Sequence, residues 1–247
     1  MMIIAVINQK GGTGKTTTTM NLGSALSSLG KKILLVDLDP QANLSYSFGI
    51  KTPNGTIAEV LQGKQTLQTI LVEKEGLSIT PSSVSLADLE ISLVNKIGRE
   101  GLLKELLKGL KGYDYVFIDS PPSLSILTIN ALNAAQEVLI PLQMEILSLQ
   151  GLAQLLDTIN EVRRILNKNL KIKGIIPSMY DGRRRLSDEV LEEIKKFKEP
   201  IFKTVIRENV KIAEAPSFAK SVLAYAPLSH GAEDYIKLAK EFIKERK

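Results

Sequence analysis

The chain has 247 residues, 44% hydrophobic and 24% charged, which is enough apolar material for one sizeable core and excludes a disordered or collagen-like polymer. With no Cys and a single His, His230, it cannot form disulfides, thiolate metal centres, Cys-ligated iron–sulfur clusters, cysteine nucleophiles or a multi-His zinc site. Lys and Arg outnumber Asp and Glu by 32 to 27, and a net charge of +5 permits an anionic partner without demanding one.

The first predicted element is an apolar strand at 3–7. The stretch 1–7 is too short for a membrane span and lacks the basic flank of a signal peptide, and no later run reaches about 18 apolar residues, so a cytoplasmic protein is expected. The strand runs directly into Lys10-Gly11-Gly12-Thr13-Gly14-Lys15-Thr16-Thr17, and helical periodicity begins at 16 and continues to 29. Three glycines in four positions let backbone N–H groups converge on phosphate oxygens, and the helix N-terminus adds its dipole. Lys15 adds a point charge and Thr16 a hydroxyl for Mg²⁺. Gln9 stands where the strict phosphate-loop pattern has its first glycine, and Lys10 is an additional cation. A cation at that place can contact its own phosphates.

Gly30 stops that helix, and a second strand at 33–36 ends in Asp37-Leu38-Asp39-Pro40-Gln41-Ala42-Asn43. Strand periodicity points Asp37 and Asp39 the same way, toward a place where a carboxylate can hold metal-bound water or orient the attacking water. The alternative is that both merely end a strand and open a turn. A helix at 102–110 leads to a strand at 116–118 and Asp119, followed by Ser120-Pro121-Pro122-Ser123. An apolar strand ending in Asp suits Mg²⁺ held through water, and the prolines stiffen a loop able to sense the γ-phosphate.

Further helices at 125–135, 147–166, 186–198 and 232–244 alternate with strands at 138–140 and 172–176. Such alternation predicts right-handed crossovers and an α/β fold with a doubly wound, mostly parallel sheet flanked by helices, in a single domain over 1–247. Ligands of such sheets lie at the carboxyl ends of the strands. His230 is expected in the turn before the last helix, with no chemical role. That helix carries apolar residues at helical spacing with lysines opposite, and it is expected to pack rather than to lie on a membrane.

The K-G-G-T-G-K-T-T loop resembles the deviant Walker A motif of the ParA/MinD group of P-loop ATPases, and D-L-D-P-Q-A-N is similar to the ParA branch of that group. The resemblance continues through Asn130-Ala131-Leu132, Met179-Tyr180-Asp181-Gly182-Arg183 and Asn209-Val210-Lys211-Ile212-Ala213-Glu214-Ala215-Pro216-Ser217, so it covers nearly the whole chain. The family is that of the small chromosomal or plasmid ParA (Soj-like) partition ATPases. The resemblance implies a P-loop fold that binds ATP and Mg²⁺, with 10–17 on the phosphates and Asn209 in a loop bordering the adenine. It implies Thr16, Asp39 and Asp119 at the metal, Asp39 as the hydrolytic residue, and Lys10 reaching the partner's nucleotide in an ATP-bound homodimer. Where the family commonly reads Pro-Arg before Asn209, this chain has Arg207-Glu208.

The resemblance further implies non-specific binding of double-stranded DNA, stimulation by a ParB-like protein, and a cytoplasmic, nucleoid-associated location. Arg183 and Lys211 align best with the family's DNA contacts, followed by Lys220. Arg184, Arg185, Lys203 and Arg207 lie in the same region, but eight acidic residues fall within 181–214, so a salt-bridged solvated surface is the competing reading. No helix-turn-helix pattern precedes the first strand, so operator-specific binding is not expected. The rival functions are a MinD-like membrane-cycling regulator and a ParA-like positioner of a protein cargo. A ligase or kinase acting on a small metabolite is a third reading, for which the sequence offers no acceptor site.

Overall fold

Apolar, β-branched stretches become strands because both of their faces find cover. The computed structural model describes residues 1–51 and 53–244, so Thr52 and the last three residues of the expected domain lie outside the description. In chain order the strands are β1 (Met2–Val6), β2 (Ile33–Asp37), β3 (Val72–Lys74), β4 (Leu77–Thr80), β5 (Tyr115–Asp119), β6 (Glu137–Gln143), β7 (Lys171–Tyr180) and β8 (Ile206–Arg207). They form one sheet in the order β3-β4-β2-β5-β1-β6-β7-β8. Only the β3/β4 hairpin is antiparallel. The doubly wound, mostly parallel sheet expected from the sequence is therefore present.

Alternate residues of each strand feed two core layers. Ile3, Ala5, Leu34, Val36, Val116 and Ile118 face the layer covered by helices Leu102–Leu107, Ile126–Ala134, Ile146–Ile165 and Arg185–Lys195. Ile4, Val6, Ile33, Leu35, Tyr115 and Phe117 face helices Lys15–Ser28 and His230–Lys244. Those two helices pack on each other as well as on the sheet. Gly23 is the point of closest approach: a Cβ there would stand 2.9 Å from Leu35 Cδ2. The first helix closes at Gly30, where the Lys31 N–H returns to the Leu26 carbonyl oxygen at 3.1 Å.

Three strands were not expected from the sequence. β3 reads Val-Glu-Lys and β8 only Ile-Arg, too short and too polar to show an apolar run, while β4 is a four-residue stretch. A second correction concerns His230, which is the first residue of helix His230–Lys244 rather than part of the preceding turn; Glu233, one helical turn on, lies 3.3 Å from its Nδ1. Among the described residues no helix is long and apolar enough to cross a membrane.

The order of the strands fixes where a ligand can sit. β2, β4 and β5 lie on one side of β1, and β6, β7 and β8 on the other, so the winding reverses at β1 and opens a crevice above its carboxyl end.

Candidate functional site

At that crevice β1 feeds the glycine loop. Gly12 and Gly14 hold left-handed backbone angles, φ +75° and +91°, which an L side chain adopts only with strain. No atom lies within 4 Å of where a Cβ would stand at Gly11, Gly12 or Gly14, so the loop surrounds open space. Helix Lys15–Ser28 starts at Gly14 with no side-chain cap, leaving its first N–H groups for an anion. Lys15 is only 6% exposed, and its ammonium donates to the Lys10 carbonyl oxygen at 3.2 Å. Burial lowers its pKa, and the nearby Asp119 and Asp39 carboxylates oppose that shift. Thr13 is buried, with its hydroxyl donating to the same Lys10 carbonyl at 3.3 Å.

Gly11, Gly12, Lys15, Thr16, Asp39 and Pro122 line a cavity of about 350 Å³. Gly14, Thr17 and Met179 belong both to it and to a neighbouring cavity of about 380 Å³. Together they make a trough from Asp39, over the loop, to β8. The second part is walled by Ile206, Arg207, Glu208, Asn209, Ile212 and Tyr235. Asn209 also caps helix Val210–Glu214 through the Lys211 N–H at 2.9 Å. The Arg207 guanidinium is bound to Asp234 at 2.5 Å and to Glu233 at 2.9 Å, which takes it out of the set of available surface cations.

Asp37 and Asp39 do not point the same way. Asp39 lines the trough; its Oδ1 accepts the Gln41 N–H at 2.9 Å. Asp37 is fully buried and turned beneath helix Asn43–Ser47, where its Oδ2 accepts the Ser45 N–H at 2.8 Å and the Ser45 hydroxyl at 2.7 Å. The strand ends at Asp37, so the period of two no longer governs Asp39.

Asp119 lies across the strand pair from Asp37 and is likewise buried. Burial, reinforced by the charge of Asp37, pushes its carboxyl well above the ordinary range. One oxygen accepts the Thr19 hydroxyl at 3.3 Å; Oδ2 is buried without a hydrogen-bond partner. An orphaned carboxylate oxygen beside Thr16, with Asp39 on the same cavity, is a hard oxygen donor set that suits Mg²⁺. Among the described residues no three His, Cys, Asp or Glu side chains stand close enough to hold a metal alone.

The remaining predicted residues are not gathered into the trough. Lys10 turns away from it and pairs with Glu145 at 2.7 Å, the other oxygen of Glu145 accepting the Gln143 amide at 2.8 Å. Arg183 forks onto Asp181 at 2.9 and 3.0 Å, and Lys211 pairs with Glu214 at 2.8 Å. Lys220 is exposed, with no ion pair among the described residues. Sequence reasoning did not identify Glu145, Ser47 or Tyr235. For Glu145 the signal was its place just past the carboxyl end of β6; Ser47 and Tyr235 arrive through helix packing and carried none.

A family model described as an AAA domain matches residues 1–172. The sporulation initiation inhibitor protein Soj of Bacillus subtilis is 46% identical over 245 residues, covering 97% of each chain. The chromosome partitioning protein ParA of Myxococcus xanthus is 44% identical over 248 residues, 98% of this chain and 88% of that protein. Among solved structures, cobyrinic acid a,c-diamide synthase from Mycobacterium smegmatis with bound ATP analog and magnesium gives a TM-score of 0.88 at 37% identity, over 99% of this chain and 95% of that one.

Proposed function

The chain belongs to the Soj/ParA family of chromosome-partitioning ATPases, and from that premise we propose an ATP-driven DNA partition cycle carried by one domain over 1–247. It is an ATPase that uses ATP with Mg²⁺. In the proposed cycle ATP joins two copies face to face, the pair holds DNA irrespective of sequence, and hydrolysis stimulated by a ParB-like protein releases it. The location that follows is cytoplasmic and nucleoid-associated.

The observation carrying this reading is the trough, which sets the buried Lys15 cation and the open glycine loop against Asp39. Lys15 exchanges its contact with the Lys10 carbonyl for phosphate oxygens, which present full negative charge. Thr16 and Asp119 would hold Mg²⁺, with Asp39 in reach. When bound, Mg²⁺ neutralises charge developing on the transferred phosphoryl group. Asp39, with one oxygen fixed by the Gln41 N–H, turns the other to the attacking water. Glu208, Asn209 and Ile212 wall the base side.

Lys10 stands outside this arrangement. Its ammonium leaves Glu145 to reach the nucleotide of the second copy, so Lys10 couples ATP to pairing rather than to binding in its own subunit. DNA contacts fall to Arg183, Lys211 and Lys220, whose number doubles on pairing. The membrane-cycling alternative is disfavoured for helix His230–Lys244, because Tyr235, Leu238, Ala239 and Phe242 spend its apolar face on the core.

Co-sedimentation with two unrelated duplexes and with anionic liposomes, each with ATP, ADP or no nucleotide, tests the reading. Equal binding of both duplexes with ATP alone is expected. Binding without ATP, or to liposomes and not DNA, overturns it.

A further inference from the structure

Asp39 is held by more than its own turn. Its N–H donates to Asp37 Oδ1 at 3.3 Å, and its carbonyl oxygen accepts both the Ala42 N–H at 2.9 Å and the Ser82 hydroxyl at 2.7 Å. Ser82 belongs to the segment that follows β4, and its own N–H donates to the Ser45 hydroxyl oxygen at 3.0 Å. That hydroxyl in turn donates to Asp37 at 2.7 Å. Four buried groups, Asp37, Ser45, Ser82 and the Asp39 main chain, thus form one closed hydrogen-bonded set. Neither Ser82 nor Asp37 lines the trough.

We infer that Ser82 is a positioning residue for ATP hydrolysis: with Ser45 and Asp37 it fixes the backbone of Asp39, and through it the carboxylate that orients the attacking water. The other hydrogen bonds of Asp39 among the described residues reach only two or three residues along the chain, to Asp37, Gln41 and Ala42. Ser82 ties that turn to the β2/β4 part of the sheet, where Val36 is in register with Thr80. The phosphate loop is anchored elsewhere, on β1 and helix Lys15–Ser28, so nucleotide affinity does not depend on the Ser82 hydroxyl. Loss of the Ser82 hydroxyl frees one side of the Asp39 carbonyl and lets the carboxylate wander, and misplacement by about 1 Å costs on the order of 100-fold in rate.

The inference rests on Asp39 being the hydrolytic residue, and the experiment separates the two. Steady-state ATPase rates and ATP-analogue affinity are measured for the parent, Ser82→Ala, Ser82→Thr, Asp39→Ala and the Ser82→Ala/Asp39→Ala pair, with melting temperature recorded for each. Ser82→Ala should lower kcat at least about tenfold with affinity unchanged within about twofold, and Ser82→Thr, which keeps the hydroxyl, should recover most of the rate. In the Asp39→Ala background, Ser82→Ala should change the residual rate by less than about twofold, because the two act as one unit. Parent-like kcat in Ser82→Ala while Asp39→Ala is slow overturns the inference alone. So does a further rate loss in the pair, or a parallel loss of affinity. Parent-like hydrolysis by Asp39→Ala removes the premise as well as the inference.

Discussion

Burial raises the Asp37 carboxyl to about 7, because desolvation outweighs the hydrogen bonds from Ser45 and Asp39. The unfolded chain loses that proton near the ordinary value of 3.8. Between those two values the folded state binds a proton that the unfolded state has released, so stability from this group is complete at low pH and falls as pH rises toward 7. Asp37→Asn, which cannot ionise, should flatten the decline. The gap in melting temperature between pH 5 and pH 8, without nucleotide, should narrow relative to the parent, and an unchanged gap would clear Asp37 of the role. Burial likewise disfavours charge on Lys15, whose pKa it lowers against the opposing pull of the Asp119 and Asp39 carboxylates, in a cavity whose natural counter-charge is a phosphate. Lys15→Ala should weaken binding of a fluorescent ATP analogue at least about tenfold, as expected for a charged hydrogen bond of about 1.5–3 kcal/mol, while leaving the nucleotide-free melting temperature no lower. As candidates, Lys15, Thr16, Asp39 and Asp119 were legible in the sequence because each sits at a helix start or at or just past a strand end within a spaced motif. The inward turn of Asp37 was not. It depends on a backbone N–H and a hydroxyl that arrive eight residues later, when helix Asn43–Ser47 folds beneath β2.

At the scale of elements, helix Lys15–Ser28 links the phosphate loop to the sheet through one tight crossing. A β-branched side chain at Gly23 would drive into Leu35, whose Cδ2 already stands 2.9 Å from the site of a Cβ. Gly23→Val should therefore lower stability by about 1–3 kcal/mol through overpacking, read as a lower denaturation midpoint, despite the better helix propensity of valine. The helix carries the loop, so nucleotide affinity should fall with it; full stability in Gly23→Val would mean the crossing has slack. The five central strands were legible because each carries a buried, β-branched apolar run at its centre, even where Glu137, Lys171 or Lys173 stands at or near its start. β3 and β8 carry half-exposed or exposed charges and owe their pairing to neighbours already in place, a tertiary cause that no local pattern records. The last helix begins at His230, where the Ser229 hydroxyl oxygen accepts the Ala232 N–H at 3.2 Å, and Glu233, one turn on, pairs with His230 and Lys237 of the same helix and with Arg207 of β8, a set spread over two elements.

For the whole molecule, charge placement decides which cations the proposed DNA contact would draw on. Arg183 and Lys211 are each paired with an acid of their own chain, whereas Lys220 is free among the described residues. A cation that must leave a carboxylate gains less from a phosphate than one that gives up only water. In a salt series with ATP, log affinity should fall linearly with log salt at about −0.9 per contact. Lys220→Ala should reduce that slope by about two contacts per pair of subunits, and Arg183→Ala by less. A larger effect at Arg183 would show that Asp181 releases it at no cost. The sheet margins have a different consequence. β3 ends in charged Glu73 and Lys74, and at the other edge β8 is two residues long, with the Arg207 N–H already donated to the Asp234 carboxylate at 3.1 Å. Among the described residues both margins are short and charged, which disfavours growth of a neighbour's strand on either. Folded copies at high local concentration therefore meet short, charged sheet margins rather than a long bare strand on which a cross-strand fibre could be seeded.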